Sequence, residues 1–229
     1  MDSDLLTAAR HFLVSYLKGK SSPVETKHPW RKDWKFALLH SLRVEAYVVR
    51  ILRLEAAQLT DEEITLLRLA AILHDIARMD IRERHAEIGA QIAAGWLQTQ
   101  TKPSLAREQI ARVTGLIAAH SAKDGPDPDY LSAVLKDADT LDEIGVMSIF
   151  MAANWLDQQS PFFFHELRQR VADRELTFCD QKLEILNTQG ARRILNEKKS
   201  FLAGFIAQLD DELNTNLETE QILAELTGV

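Results

Sequence analysis

With 229 residues, 46% of them apolar, the chain is long enough to bury a sizeable core, and a formal net charge of −7 argues against broad binding to nucleic-acid backbones. Nine glycines and six prolines are few for this length, which disfavours sandwiches and barrels and favours helices. The single cysteine, Cys179, excludes an internal disulfide, and no apolar run approaches the roughly 18 to 20 residues that span a bilayer. The amino terminus, MDSDLLTAAR, is acidic ahead of its short apolar part, unlike a secretory signal, so a cytoplasmic protein without a membrane or nucleic-acid partner is expected.

Helical periodicity dominates and no period-2 strand emerges. Residues 2–18 read as a short amphipathic helix, followed by the loop GKSSPVETKHP. A long helix is expected from a cap at Asp33 to about Gln58. The stretch KHPWRKDWK (27–35) is an ordinary loop and helix start, or alternatively a basic-aromatic set that steers or stacks a nucleotide. TDEE at 60–63 is a capping box, Thr60 with Glu63 three residues on, and opens a helix expected to run to about Ala77. Further helices are expected at 84–99, 104–121 and 128–158, separated by Pro103 and by DGPDP (124–128). After SPFFF come 163–175, 189–214 and a terminal helix from 217. The reading is one all-α helical bundle: an amino-terminal helix and loop (1–32), a core (33–160), and a helical C-terminal extension (161–229) packed on the same domain.

Polar residues interrupt several apolar stripes. His40 shares a face with Phe36, Val44, Tyr47 and Ile51. His74 and Asp75 follow Leu67, Ala70 and Ala71 at helical spacing, inside LAAILHDIARMD. His85 begins a stripe continued by Gly89, Ile92 and Trp96, and His120 ends one made by Ile110, Val113 and Ile117. Asp139 lies four residues after Leu135, and Asp142 three further on. A lone histidine on an apolar face is ordinarily a core residue bonded to a carbonyl, and one at a helix C-terminus favours the dipole. Imidazoles and carboxylates on separate helices together form a set of the kind a divalent metal takes as ligands, and a metal offsets the cost of burying the acids.

The order His40, then His74-Asp75, then an aspartate in KDADTLDEIGV resembles the HD-domain superfamily of metal-dependent phosphohydrolases. HSLRVEAYV, LAAILHDIAR, RHAEIGAQIAAGWL, IAAHS and KDADTLDEIGV look like that family's blocks in its order, across about residues 34–160. The tail LNTQGARRILNEKKSFLAGFIAQLDDEL is similar to a subgroup of small bacterial members. The resemblance implies an HD-domain-like core at 33–160 and a site for one or two divalent ions (Mn, Fe, Mg, Co, Ni or Zn). His40, His74, Asp75 and Asp139 would hold the first ion, and Asp75, His85 and His120 the second. Asp139 is preferred over Asp137 because ADTLD matches the family's late-ligand context. Asp75, Arg78 and Asp142 form the implied catalytic set, with Asp142 supporting the ligands from behind, and Arg78, Lys123 and Lys136 are the candidates to hold a phosphate.

The implied activity is hydrolysis of a phosphate ester or anhydride, most naturally of a nucleotide, with the small phosphorylated substrate as the partner and the oligomeric state left open. HDIARMD lacks the Glu-Asp pair of the (p)ppGpp hydrolase branch, and the HDIGK and GYP elements of the cyclic-di-GMP branch are missing as well. Two other classes share the constellation: an HD-fold diiron oxygenase and a non-enzymatic metal-binding regulatory module. His11, His28 and His165 fall outside the blocks and read as surface or packing residues.

Overall fold

The computed structural model describes residues 2–100, 105–123, 125–213, 222 and 224–226. In chain order these form α1 (Asp2–Leu17), a single 3-10 turn (Pro29–Lys32), α2 (Trp34–Glu55), α3 (Asp61–Leu73), α4 (His85–Gln98), α5 (Arg107–Ala119) and α6 (Tyr130–Leu141). There follow α7 (Val146–Ala153), α8 (Phe163–Arg170), a π-helical segment (Val171–Leu176), α9 (Thr177–Ile185) and α10 (Gln189–Leu213). The fold is all-α; among the described residues the only β contact is an isolated bridge between Ser21 and Asp33. No described helix is long and apolar enough to cross a membrane.

The chain divides into two compact units. The first comprises Met1–Asp142 with Leu183–Ile194, and the second Glu143–Lys182 with Leu195–Val229. In the first, α3 is the central element, packed against α1, α2, α5 and α6. Thr65, Leu66, Leu67, Leu69, Ala70, Ala71, Ile72 and Leu73 of this helix are all buried, the pattern of a helix enclosed on every side. Its start obeys the local rule: Thr60 Oγ1 accepts from the Glu63 amide and Glu63 accepts from the Thr60 amide, a complete capping box. Asp33 caps α2 by accepting from the Lys35 amide at 2.7 Å. Glu45 of α2, its side chain 7% exposed, receives both Arg10 of α1 and Arg68 of α3, which ties three helices through one buried carboxylate.

Three expected boundaries move. The helix from 60 ends at Leu73 rather than Ala77, and residues 74–80 continue as turns bonded to the third residue back, Ile76 N to Leu73 O, Arg78 N to Asp75 O and Asp80 N to Ala77 O. The single helix expected over 128–158 is two, α6 and α7, because Asp142 is extended, Glu143 takes φ 63° and Gly145 takes φ 94°. Residues 176–185, not expected to be helical, form the end of the π segment and α9. The π turns shift the apolar face between Val171 and Cys179 and so blur the 3.6-residue period. The terminal helix expected from 217 lies largely outside the described residues, although 222 and 224–226 are helical.

Within the second unit α7, α8 and the π segment pack together around Ile149, Ala152, Leu167 and Val171, and Arg168 forks onto Asp210 at 2.6 and 2.7 Å. In the first unit, α5 and α6 are joined by Arg112, whose guanidinium holds Asp129 below the usual carboxylate range. Asp127 is also held low: burial opposes its ionisation, but Lys136 and Ser132 outweigh it. Depressed folded values mean that the native chain binds fewer protons than the unfolded one in acid. Their stabilisation is complete above about pH 5 and is lost as pH falls below the unfolded value of about 3.9 through the folded ones. Thermal melts between pH 3 and 7 are expected to show this acid limb, shallower in Asp129→Asn.

Candidate metal centre

The end of the enclosed helix α3 delivers His74 and Asp75 into the interior, where four further elements converge. α2 brings His40, the first turn of α4 brings His85, the end of α5 brings His120, and α6 brings Asp139 and, at its C-terminal cap, Asp142. His74 is 0% exposed and His120 2%, while the side chains of His40, Asp75 and Asp139 retain 13 to 15%.

Helix ends also fix the imidazoles. His74 Nδ1 lies 2.8 Å from Ala71 O, His120 Nδ1 2.7 Å from Ile117 O, and His85 Nδ1 2.6 Å from Arg82 O, each three residues back. A carbonyl only accepts, so Nδ1 carries the proton in each ring and Nε2 presents its lone pair inward. His40 is held the same way by a carboxylate, its Nδ1 2.7 Å from Asp142 Oδ2. Capping a helix terminus and aiming a ligand atom are therefore one arrangement here, not competing explanations.

The inward atoms meet in two groups that share Asp75. On one side Asp75 Oδ2 is 3.5 Å from His40 Nε2, which lies 3.1 Å from His74 Nε2 and 3.2 Å from Asp139 Oδ1. On the other side Asp75 Oδ1 is 3.2 Å from His85 Nε2 and 3.4 Å from His120 Nε2, themselves 3.3 Å apart. Ring nitrogens and carboxylate oxygens facing one another at these separations need a positive charge between them. That charge is a cation or a proton, as on His40, where burial lowers the pKa but the neighbouring acids outweigh it and raise it to about 10. Asp75 Oδ1 is buried without a hydrogen-bond partner, an arrangement a cation relieves. His40, His74 and Asp75, and likewise Asp75, His85 and His120, each offer ligand atoms within 4.8 Å of one another.

Electrostatics favour ionised acids here. Burial opposes ionisation of Asp75, but His74, His120, His85 and His40 outweigh it and hold its carboxyl well below the ordinary range. Burial likewise opposes ionisation of Asp139, and Lys123, His40 and His74 overcome it. Asp142 is also depressed, burial again being outweighed, here by His40 and Arg43.

The remaining sequence candidates separate clearly. Lys123 lies 2.6 Å from Asp139 Oδ2 at the edge of the cluster. Arg78 is exposed, with Nη1 3.2 Å from both ring nitrogens of His85. Lys136 is engaged elsewhere, 2.7 Å from Asp127 with 11% of its side chain exposed. Asp137, the alternative to Asp139, is buried beneath the 187–188 turn and accepts from Asn187 N, Asn187 Nδ2, Thr188 N and Thr188 Oγ1. Sequence reasoning missed Arg43, which forks onto Asp142 at 2.7 and 2.8 Å with its guanidinium over Phe36. The signal was present, since Arg43 follows His40 by three residues on the same helix face. Arg31, in the basic-aromatic stretch, has a lowered pKa from burial and then from repulsion by Arg78, with Asp142 opposing, which brings that stretch to the centre's border.

Because Arg43 and Asp142 orient His40 without being among the inward ligands, Asp142→Ala is expected to weaken Mn²⁺ binding about 10- to 100-fold. Arg43→Ala should act in the same direction by a smaller factor. Isothermal titration alongside circular dichroism checks both, the latter showing the helices unchanged.

Comparison with known proteins places these features. Residues 38–144 match the family model of the HD domain, a span that contains all the inward-facing histidines and aspartates described above together with Asp142. Similar crystal structures include a predicted HD superfamily hydrolase from an uncultured Thermotogales bacterium, 21% identical with a TM-score of 0.61, covering 90% of this chain and 92% of that one. YpgQ of Bacillus subtilis in complex with ADP is 21% identical with a TM-score of 0.59, over 92% and 96%. The Lin1889 protein of Listeria innocua is 20% identical with a TM-score of 0.57, over 94% and 99%. At such identities the likeness is one of fold. No curated protein matches the chain.

Proposed function

We propose, from the HD domain that residues 38–144 match, that this chain is a divalent-metal-dependent phosphohydrolase whose substrate is a nucleotide. The observation that carries the reading is Asp75, whose two oxygens face separate pairs of imidazole Nε2 atoms while the buried Oδ1 lacks a hydrogen bond. His40, His74, Asp75 and Asp139 would hold one ion, and Asp75, His85 and His120 a second. Bound there, divalent cations supply a water nucleophile whose pKa is lowered from about 15.7 toward about 7 and neutralise charge on phosphoryl oxygens.

The protein's own residues supply position and charge. The backbone carbonyls behind His74, His85 and His120, and the Arg43–Asp142 pair behind His40, keep the imidazoles from rotating. Lys123 and Arg78 offer cations at the edge of the cluster, where a phosphate would bind; Lys136, held by Asp127, is left out of this set. A nucleotide is favoured by two features. The Bacillus relative was solved with ADP, and Trp30, 37% exposed beside Arg31, offers a ring for base stacking.

The purified protein with Mn²⁺ should release phosphate or pyrophosphate from at least one member of a nucleotide panel, equally in air and under anaerobic conditions. His74→Ala should abolish release. Release that persists in that variant, or that requires oxygen, overturns the assignment.

A further inference from the structure

The two halves of the centre are not equivalent in charge. The His40–His74 half is faced by two carboxylate oxygens, Asp75 Oδ2 and Asp139 Oδ1. The cations beside it are each bound to an acid, Lys123 to Asp139 and Arg43 to Asp142. Within ion-pair distance the His85–His120 half is faced by one carboxylate oxygen, Asp75 Oδ1, of a group already shared with the other half, while of these two histidines Asp139 comes within 4.8 Å of His120 only. In place of a second acid it has Arg78. That Nη1 is equally distant from both nitrogens of the His85 ring, 3.2 Å each, so the guanidinium lies across the ring rather than at one edge nitrogen. Arg78 makes no ion pair among the described residues, and Arg31 adds a second positive charge close to it.

We propose that the centre loads stepwise, a tight ion in the His40–His74 half and a weak one in the His85–His120 half, and that Arg78 couples the second ion to the arrival of a phosphate. A divalent cation next to His85 meets a guanidinium that no acid among the described residues pairs, at a range shorter than the screening length, so solvent weakens the repulsion without removing it. A phosphate bound by Arg78 removes that repulsion and adds an anion to the poorer half. By linkage the effect is reciprocal: phosphate tightens the second ion, and the second ion tightens phosphate by the same factor. The inference rests on the phosphohydrolase reading for the identity of the anion.

The test is titration of the full chain with Mn²⁺, with and without inorganic phosphate, followed by calorimetry and by elemental analysis of the bound metal. Two steps are expected without phosphate, the second weaker by about tenfold or more, a typical size for coupling between sites. Phosphate should tighten the second step by a similar factor and leave the first in place. His85→Ala should delete the second step alone, which identifies it. Arg78→Met should tighten the second step in the absence of phosphate and erase the response to phosphate, whereas Arg78→Lys should retain both. Two steps of equal affinity, a single ion even with phosphate, or an unaltered phosphate response in Arg78→Met overturns the proposal. None of these measurements uses turnover, so a failure to hydrolyse nucleotides would count against the function proposed above and leave this result standing on its own.

Discussion

Replacing Asp75 with alanine is expected to strip metal from both halves of the centre at once, which no other single substitution should do. Its Oδ2 faces His40 at 3.5 Å and its Oδ1 faces His85 and His120 at 3.2 and 3.4 Å, whereas Asp139 comes within 4 Å of imidazoles on the His40–His74 side only. Hydrolysis should fall by about a thousandfold or more, equivalent to about 4 kcal/mol of lost transition-state stabilisation. A second readout does not depend on turnover. At a hundredfold excess of Mn²⁺ over its dissociation constant the wild type should gain about 2.7 kcal/mol of stability. For a chain of this size that is a rise in melting temperature of roughly 5 to 10 °C, reversed by chelator. Asp75→Ala should melt at one temperature whatever the metal concentration. His85→Ala is the matching control, because it removes one imidazole from one half and should retain the first ion. A metal-dependent melting temperature in Asp75→Ala would show that the ligands lie elsewhere.

The second large effect is on stability and separates the two neighbouring aspartates of α6. Asp137, 1% exposed, accepts from two backbone amides and two side chains of Asn187 and Thr188, with Thr188 N at 2.7 Å. Alanine there leaves buried amides without acceptors at roughly 1–3 kcal/mol each, so Asp137→Ala is expected to destabilise the protein by about 3–5 kcal/mol. The corresponding drop in melting temperature is on the order of 10 °C, with the metal content of the folded fraction unchanged. Asp139→Ala should do the reverse, losing the tight ion with a smaller effect on the metal-free fold, since its oxygens face His40, His74 and Lys123 rather than backbone amides. Thermal melts with elemental analysis on the two variants decide between them.

That pair also marks what could be read without coordinates. KDADTLDEIGV places Asp137, Asp139 and Asp142 within two turns of one helix, and helical spacing alone does not say which of them meets His40, 99 residues from Asp139 and 102 from Asp142. The choice of Asp139 came from a resemblance in pattern; its placement beside His40, and the 187–188 turn above Asp137, come from packing. The break after α6 was hidden for a related reason. DTLDEIGV continues as a plausible helix in isolation, whereas in the fold Asp142 leaves the helix and is held by His40 and Arg43, with Glu143 at φ 63° and Gly145 at φ 94° completing the turn.

What the sequence determined by itself was local or periodic. The caps at Asp33 and Thr60, the all-α class and the interior-facing positions of four histidines follow from residue type and 3.6-residue spacing, which act over a few neighbours. The tertiary structure alone decided which ring nitrogen faces inward, that Asp75 stands between two imidazole pairs, that Arg43 secures Asp142, and that Lys136 turns to Asp127 instead of the centre. Those outcomes depend on the meeting of helices far apart in the chain, where distances of about 3 Å and the burial of charge select one partner among several that spacing allows.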